Sequence, residues 1–298
     1  MTGMQDIAAK VGAVDLFVLY RVAVRRLVNV DGHGRGAGWA GNIDLDPTAE
    51  GWLEEVEEHG ISRVSHGMPR RIFGPYWATE AVGVAIGDYL VVFGGPGTAE
   101  ASEDLVHEAA TLAASSVDEV PVAKRLADDL EVTQAALAIA RMRPGSVDEA
   151  ARAIASAAAR ATSCEFGAVL LFGPPMSLHL AEEGWRPSAS EEEIAAALLP
   201  LSQALSDGLY VEQDTSESAF PYRPLTFEDG LVARCAVRLG EDGGMGVLVV
   251  AHSFESPRGF TMLCQRVMRT IGDTAEATLA ALLEGGAVRE GGVEPPRA

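Results

Sequence analysis

Three cysteines and six histidines are the residues of this 298-residue sequence that could do nucleophilic, redox or metal chemistry. Cys164, Cys235 and Cys264 lie in apolar surroundings, which is typical of reduced core thiols and not of a disulfide framework. The histidines lack the spacing of a zinc site, and no serine lies in a G-x-S-x-G turn. The sequence therefore predicts no catalytic residue and no metal site.

A glycine-rich segment at residues 32–41 contains a pattern that is also found in dinucleotide-binding sites. Gly32-His33-Gly34-Arg35-Gly36-Ala37 matches G-x-G-x-x-A. That chemistry needs the N-terminus of a helix beneath the pyrophosphate, and the following Gly38-Trp39-Ala40-Gly41 predicts no helix. We therefore expect a flexible turn here.

An aromatic group in the second half of the chain is the best candidate for a ligand site. Its members are Trp185, Tyr210, Phe220, Tyr222 and Phe227. Arg223 and Arg234 could supply positive charge to an anionic ligand, which Arg234 would orient. Trp39, Tyr76 and Trp77 are the counterparts in the first half. The alternative is that these aromatic side chains fill a vacant pocket as a small core.

Hydrophobic periodicity and turn residues predict the elements that position these side chains. The predicted strands cover residues 13–30, 81–86, 89–93, 166–172, 177–182, 209–212, 232–238 and 246–252. The predicted helices cover residues 47–58, 100–116, 122–142, 146–161, 190–205 and 260–283. Because strands and helices recur in the same order in both halves, we expect an α+β fold of two similar domains. Each would be an antiparallel sheet with helices packed on one face.

The helix at residues 122–142 is expected to connect the two domains, which we place at residues 1–120 and 121–284. Its apolar residues follow a spacing of four and three at Leu126, Leu130, Thr133, Leu137 and Ala140. This spacing fits either a coiled-coil-like contact between two copies or a packed amphipathic helix. Residues 285–298 are rich in Gly and Pro and charged, so we expect a disordered tail.

The charge balance indicates which partners the protein avoids. With 43 acidic and 23 basic residues the net charge is −20, which repels nucleic acid and anionic membranes. One cluster of arginines could receive an anionic partner, although a solvated strand face explains it more simply; it comprises Arg21, Arg25, Arg26, Arg63, Arg70 and Arg71. No apolar run reaches the roughly 20 residues of a membrane span, and the N-terminal sequence predicts no signal peptide. We therefore expect a cytoplasmic protein without a membrane or nucleic-acid partner.

Residues 118–284 resemble a GAF domain, a small-molecule sensory module. The resemblance rests on the strand segments 164–171 and 179–185, on 232–238, and on the Gly-rich strand 244–250 before the closing helix. Residues 13–118 resemble a shorter, degenerate GAF domain, in which 26–38 and 89–93 match family strands.

The resemblance implies a six-stranded antiparallel sheet with helices behind it, a pocket on the other sheet face, and dimers formed through the entry and closing helices. It adds two residues to the candidate ligand site. His179 could ligate haem, as a sheet histidine does in some relatives and as His252 also could, and Cys235 could act as a pocket thiol. The resemblance requires no cofactor and identifies no ligand.

We therefore expect a stand-alone tandem-GAF regulatory protein that is homodimeric and not an enzyme. It would sense a small molecule or bind an unidentified signalling partner protein, and would signal through the packing of the dimer helices. The alternative is a redox enzyme that resembles the free methionine sulfoxide reductases of this family and uses Cys235.

Overall fold

The computed structural model describes residues 3–117, 120, 122–173, 175–205, 208–218, 225–240 and 244–290. The chain forms two compact units. Unit 1 comprises Met1–Asp129 and Pro257–Leu263, and unit 2 comprises Leu130–Ser256 and Cys264–Ala298. Unit 1 is thus discontinuous in sequence, because a short segment from late in the chain belongs to it.

Unit 1 contains one antiparallel six-stranded sheet. Its strands are β1 (Asp15–Ala23), β2 (Arg26–His33), β3 (Asp44–Leu45), β4 (Ile61–Phe73), β5 (Tyr76–Ile86) and β6 (Tyr89–Gly94). They pair in the order β3-β2-β1-β6-β5-β4. Its helices are α1 (Met4–Lys10), α2 (Arg35–Gly38), α3 (Gly51–His59) and α4 (Glu103–Ser115). Helices α1 and α4 share a core with one face of the sheet, and α3 shares a core with the other.

The short helix α2 corrects the expectation of a flexible turn at residues 32–41, because the helix begins at Arg35 inside the glycine motif; residues 39–41, as predicted, start no helix. The glycines there are required by close packing. A Cβ atom at Gly32 or Gly36 would lie 2.0 or 1.7 Å from the carbonyl oxygen of Leu16 on β1. The motif therefore brings β2 and α2 against the backbone of β1.

Unit 2 contains an antiparallel sheet of five strands in its described residues, one fewer than the resemblance implied. The strands are β7 (Phe166–Leu171), β8 (Ser177–Leu180), β9 (Leu209–Glu212), β10 (Leu231–Leu239) and β11 (Gly246–Ser253). Their order is β8-β7-β11-β10-β9. The remaining helices of the chain are α5 (Val122–Ala140), α6 (Val147–Ala161), α7 (Glu191–Ala204) and α8 (Met262–Glu290).

The two faces of the unit 2 sheet are covered by different helices. On one face α7 packs into a core with side chains of β7, β10 and β11. On the other face α6 lies so close to β7 that a Cβ atom at Gly167 would be 2.6 Å from the carbonyl oxygen of Ala155. Gly272 of α8 lies close to the side chain of Val237 on β10, so a Cβ atom there would also be crowded. We call these two sides the α7 face and the α6/α8 face.

The last helix extends further than the sequence predicted. Helix α8 continues to Glu290, six residues into the segment assigned to a disordered tail. The rest of that segment, residues 291–298, lies outside the described residues. The Gly285-Gly286 pair of α8 lowers the stability of the helix by only about 2 kcal/mol relative to alanine, which the preceding turns of the helix can tolerate.

Candidate functional site

The eight residues predicted to bind a ligand do not form one site in the structure. Phe220, Tyr222 and Arg223 lie outside the described residues. Trp185 and Tyr210 pack against the core on the α7 face. His179 and Cys235 point to the α6/α8 face, because each alternates along its strand with residues of the α7-face core.

The α7 face, where the pocket was expected, is occupied by apolar side chains of the protein itself. Helix α7 and the residue after it place four large aliphatic side chains there, all buried: Ile194, Leu198, Leu201 and Leu205. Leu225 joins the same core, and the ring of Trp185 lies 6.2 Å from that of Phe166. These contacts favour the alternative in which the aromatic residues complete a core.

Arg234 is buried in this face with only 1% of its surface exposed. Its Nε lies 2.5 Å from a carboxylate oxygen of Glu212, and the Glu212 side chain is 9% exposed. Its two terminal nitrogens donate hydrogen bonds to the Leu225 carbonyl (3.1 Å) and to the Ser218 hydroxyl (2.9 Å). The guanidinium thus ties Ser218 and Leu225 to β10. A bound anion would have to displace Glu212 to use this charge.

His179 and Cys235 have structural surroundings on the α6/α8 face. The His179 ring lies 3.0 Å from the Ser177 hydroxyl and 3.8 Å from Asp148 of α6. Burial lowers the pKa of His179, and Asp148 only partly opposes that shift. Cys235 is completely buried, and burial raises the pKa of its thiol.

The aromatic residues of unit 1 are also packed into a core. The ring of Phe17 lies 4.5 Å from that of Tyr76 and 6.0 Å from that of Trp39. The Tyr76 hydroxyl donates to Asp15, which also accepts a hydrogen bond from the backbone N–H of Arg35. Trp77 is 2% exposed, and its carbonyl accepts from the Arg35 guanidinium. These side chains hold β1, α2 and β5 together.

Two cavities lie elsewhere in unit 2, and none of the five predicted residues that the structure describes lines either of them. The larger, about 650 Å³, is mostly apolar and lies between the end of β7 and α8, next to Phe172, Met245 and Leu283. The smaller, about 280 Å³, is polar; Arg238, Arg269 and Asp273 line it.

One chemically distinctive arrangement was missed by the sequence analysis. Cys164 Sγ lies 3.5 Å from Nε2 of His252, and Nδ1 of His252 lies 3.4 Å from a carboxylate oxygen of Glu165. Pairing of β7 with β11, in which Phe166 opposes Ala251, brings these residues together. Cys164 and His252 are far apart in sequence, so only the strand order could have revealed the contact. Within the described residues, no group of three or more potential ligands is arranged to hold a metal ion.

The core packing of Trp185 makes its truncation a test between a structural role and a ligand-binding role. We expect Trp185→Ala to lower the free energy of unfolding by about 3 kcal/mol, because the contacts with Phe166 and with Gly230 are lost. Trp185→Phe should retain most of that stability. Urea denaturation of the three proteins measures the difference. Unchanged stability of the alanine variant would contradict the core role and favour the ligand role.

The two antiparallel sheets with their packed helices place the chain in the α+β class, as predicted, but helices cover both faces of each sheet and not one face. No family model matches the sequence, and no curated protein is significantly similar to it. In the part of the chain that is described, every helix is too short or too polar to span a bilayer.

Solved structures with a similar course of the chain include GAF domains. The GAF domain of an Acinetobacter phosphoenolpyruvate-protein phosphotransferase is 13% identical over 54% of this chain and 97% of its own, with a TM-score of 0.41. The free methionine-R-sulfoxide reductase of Neisseria meningitidis is 15% identical over 53% of this chain and 91% of its own, with a TM-score of 0.37. The Stigmatella aurantiaca phytochrome photosensory core is 12% identical over 94% of this chain and 60% of its own, with a TM-score of 0.41. Similarity at this level concerns the fold alone.

Proposed function

We propose that the protein is a regulatory protein that acts as a homodimer, with α5 as the contact between two copies. The observation that carries this proposal is the exposure of the stripe that the sequence analysis identified on α5. Leu126 is 63% exposed, Leu130 55% and Leu137 40%. Thr133 and Ala140 of the same stripe are exposed as well.

The opposite side of α5 is the side packed within the protein. Asp128, Ala135 and Ile139 are buried there. The stripe is therefore not the packed face of an amphipathic helix, which was the alternative to a coiled-coil-like contact. Because its spacing of four and three suits pairing with a second helix, a second copy of this chain is the partner that fits it.

A buried polar contact holds the start of α5 within unit 1. Asn42 donates a hydrogen bond of 2.8 Å to the Asp128 carboxylate, and Lys124 lies 2.5 Å from the other oxygen of that carboxylate. The carbonyl of Asn42 accepts a hydrogen bond from the backbone N–H of Met262, at the start of α8. A structural change in unit 1 would thus reach both α5 and α8, where a signalling partner protein could detect it. A ligand can drive such a change only through different affinities for the two states.

Within this proposal the protein is not an enzyme and needs no cofactor. The reductase alternative assigned catalysis to Cys235, whose complete burial among the helices supports a structural thiol instead. Loss of methionine sulfoxide reduction in a Cys235→Ser variant, with activity in the parent protein, would support the alternative and contradict the proposal.

Light scattering of the purified full chain tests the dimer directly. At tens of micromolar we expect twice the mass of one chain. A single species of one chain's mass at that concentration would contradict the proposal.

The arginine cluster of unit 1 leads to a prediction about nucleic acid. Four of its six arginines form ion pairs with carboxylates: Arg21 with Glu57, Arg25 with Asp46, Arg26 with Asp44, and Arg71 with Glu50. Because these charges are compensated and the net charge is −20, we expect no measurable affinity for random duplex DNA at physiological salt. Fluorescence anisotropy with a labelled duplex measures this. Micromolar, salt-sensitive binding would show that the expectation is wrong.

A further inference from the structure

On the α6/α8 face of unit 2, the imidazole of His252 lies between the thiol of Cys164 and the carboxylate of Glu165. The Cys164 thiol is within hydrogen-bonding distance of His252, as described above, and it accepts a hydrogen bond of 3.1 Å from the Thr162 hydroxyl. His252 is 1% exposed, so its ring is held between the thiol and Glu165. The backbone N–H of Ser253 donates to the same Glu165 oxygen and fixes its position. This is the geometry of a nucleophile, a base and a group that orients the base.

The three thiols of the chain differ in access to solvent. Cys164 and Cys264 are partly exposed, whereas Cys235 is completely buried. Cys264 lies in the first turn of α8, and it interacts electrostatically with Cys164 and with Cys235. The reactive pair is therefore expected to be the two cysteines whose residues are partly exposed.

We propose that Cys164 is a peroxide-reactive thiol, with His252 as its base and Cys264 as the thiol that converts the oxidised product to a disulfide. Cys235, the catalytic residue of the reductase alternative, has no role in this site. The proposed chemistry also does not depend on the proposed dimer.

The reaction balances with hydrogen peroxide as the only oxidant. As Cys164 Sγ attacks one peroxide oxygen, His252 Nε2 takes the thiol proton and the O–O bond breaks. The leaving hydroxide takes that proton from His252 and departs as water, and Cys164 becomes a sulfenic acid. The Cys264 sulfur then attacks Cys164 Sγ, the S–O bond breaks, and the leaving hydroxide takes the Cys264 thiol proton and departs as a second water. Two thiols are oxidised to one disulfide, and one peroxide is reduced to two waters.

The resting thiol is protonated and becomes reactive through His252. Burial raises the pKa of Cys164, so the free thiolate is scarce without the base. Burial acts to raise the pKa of Glu165 as well, but the hydrogen bonds from His252 and Ser253 outweigh it, and the pKa is lowered. Glu165 is therefore ionised and stabilises the protonated imidazole that forms as Cys164 reacts.

Mass spectrometry of the full chain after a pulse of hydrogen peroxide tests the assignment. We expect the wild type to lose two hydrogens, about 2 Da, with Cys164 and Cys264 found in one disulfide-linked peptide pair. Cys235→Ser is the matched control and should lose the same mass. Cys164→Ser should show no loss, and Cys264→Ser should stop at oxygen addition on Cys164.

The role of His252 is tested by the rate of the same reaction. We expect His252→Gln to slow oxidation about 100-fold while Cys235→Ser reacts at the wild-type rate. Circular dichroism and the melting temperature show whether the glutamine variant is folded. If it is not folded, the cysteine variants still test the assignment of Cys164 and Cys264. A disulfide that includes Cys235, oxidation unaffected by Cys164→Ser, or a folded His252→Gln protein that reacts at the wild-type rate would overturn the proposal.

Discussion

Replacing Leu130 and Leu137 of α5 by aspartate is expected to convert the dimer to a monomer that remains folded. A fully buried leucine contributes about 2 kcal/mol, and these side chains are already about half covered within one chain, so each contributes about 1 kcal/mol at the contact. Loss of two leucines from each copy would cost about 4 kcal/mol of association free energy, which raises the dissociation constant of the dimer about 1000-fold. Sedimentation velocity over a concentration series measures the shift.

A control with the same charge separates a contact effect from a general effect of added acid. Ala127 and Ala138 are exposed on α5 outside the stripe, so Ala127→Asp with Ala138→Asp adds the same two charges elsewhere on the helix. That variant should remain a dimer. Because neither leucine belongs to a core cluster, the thermal unfolding of both variants should stay close to that of the wild type. Equal dissociation in the two variants would contradict the stripe as the contact.

Replacing Arg234 by methionine is expected to have the largest effect on stability of any single change considered. The substitution leaves the Glu212 carboxylate buried without its partner, and the Leu225 carbonyl and Ser218 hydroxyl lose their donor. Loss of one member of a buried ion pair costs about 3–5 kcal/mol. Chemical denaturation should show this loss in the free energy of unfolding.

Two further variants distinguish a buried charge from simple loss of an arginine. Arg238→Met removes a partly exposed arginine from the same strand and should cost less than about 1 kcal/mol. Arg234→Met combined with Glu212→Leu removes both charges and should recover much of the lost stability, because an apolar pair can replace a buried ion pair. If the double variant is as unstable as the single one, the ion pair is not the cause.

The elements with strong periodicity could be predicted from the sequence, and those shaped by tertiary contacts could not. The alternating pattern and the Gly87-Asp88 turn identified β5 and β6, and the apolar spacing identified α5. The strand β4 was missed because most of its residues are exposed or half-buried, and a register shift between Ser65 and Arg70 interrupts its pairing. The helix α2 was missed because four residues carry no periodicity, and its glycines serve close packing against β1.

The candidate site shows what composition alone cannot determine. Trp185, Tyr210 and Arg234 lie near one sheet face, but a list of aromatic and charged residues does not show that α7 fills that face. The ion pair with Glu212 depends on the pairing of β9 with β10, where Arg234 opposes Glu212. Cys164 and His252 meet only because β7 and β11 are neighbours. In each case the missing information was which strands pair and with which register.

The discontinuity of unit 1 has a consequence for how the protein is made on the ribosome. Phe260, 1% exposed, belongs to unit 1, as do Gly259, whose N–H donates to the Pro75 carbonyl, and Met262, whose N–H donates to the Asn42 carbonyl. The segment that carries them is synthesised roughly 130 residues after the rest of unit 1 ends at Asp129, a delay of roughly 6–26 s at bacterial or eukaryotic elongation rates. During that interval the nascent unit 1 lacks Phe260 and two backbone hydrogen bonds. Unit 1 therefore completes its folding only after all five described strands of the unit 2 sheet have been translated. A nascent chain stalled before Phe260 would expose an incomplete core to chaperones and proteases.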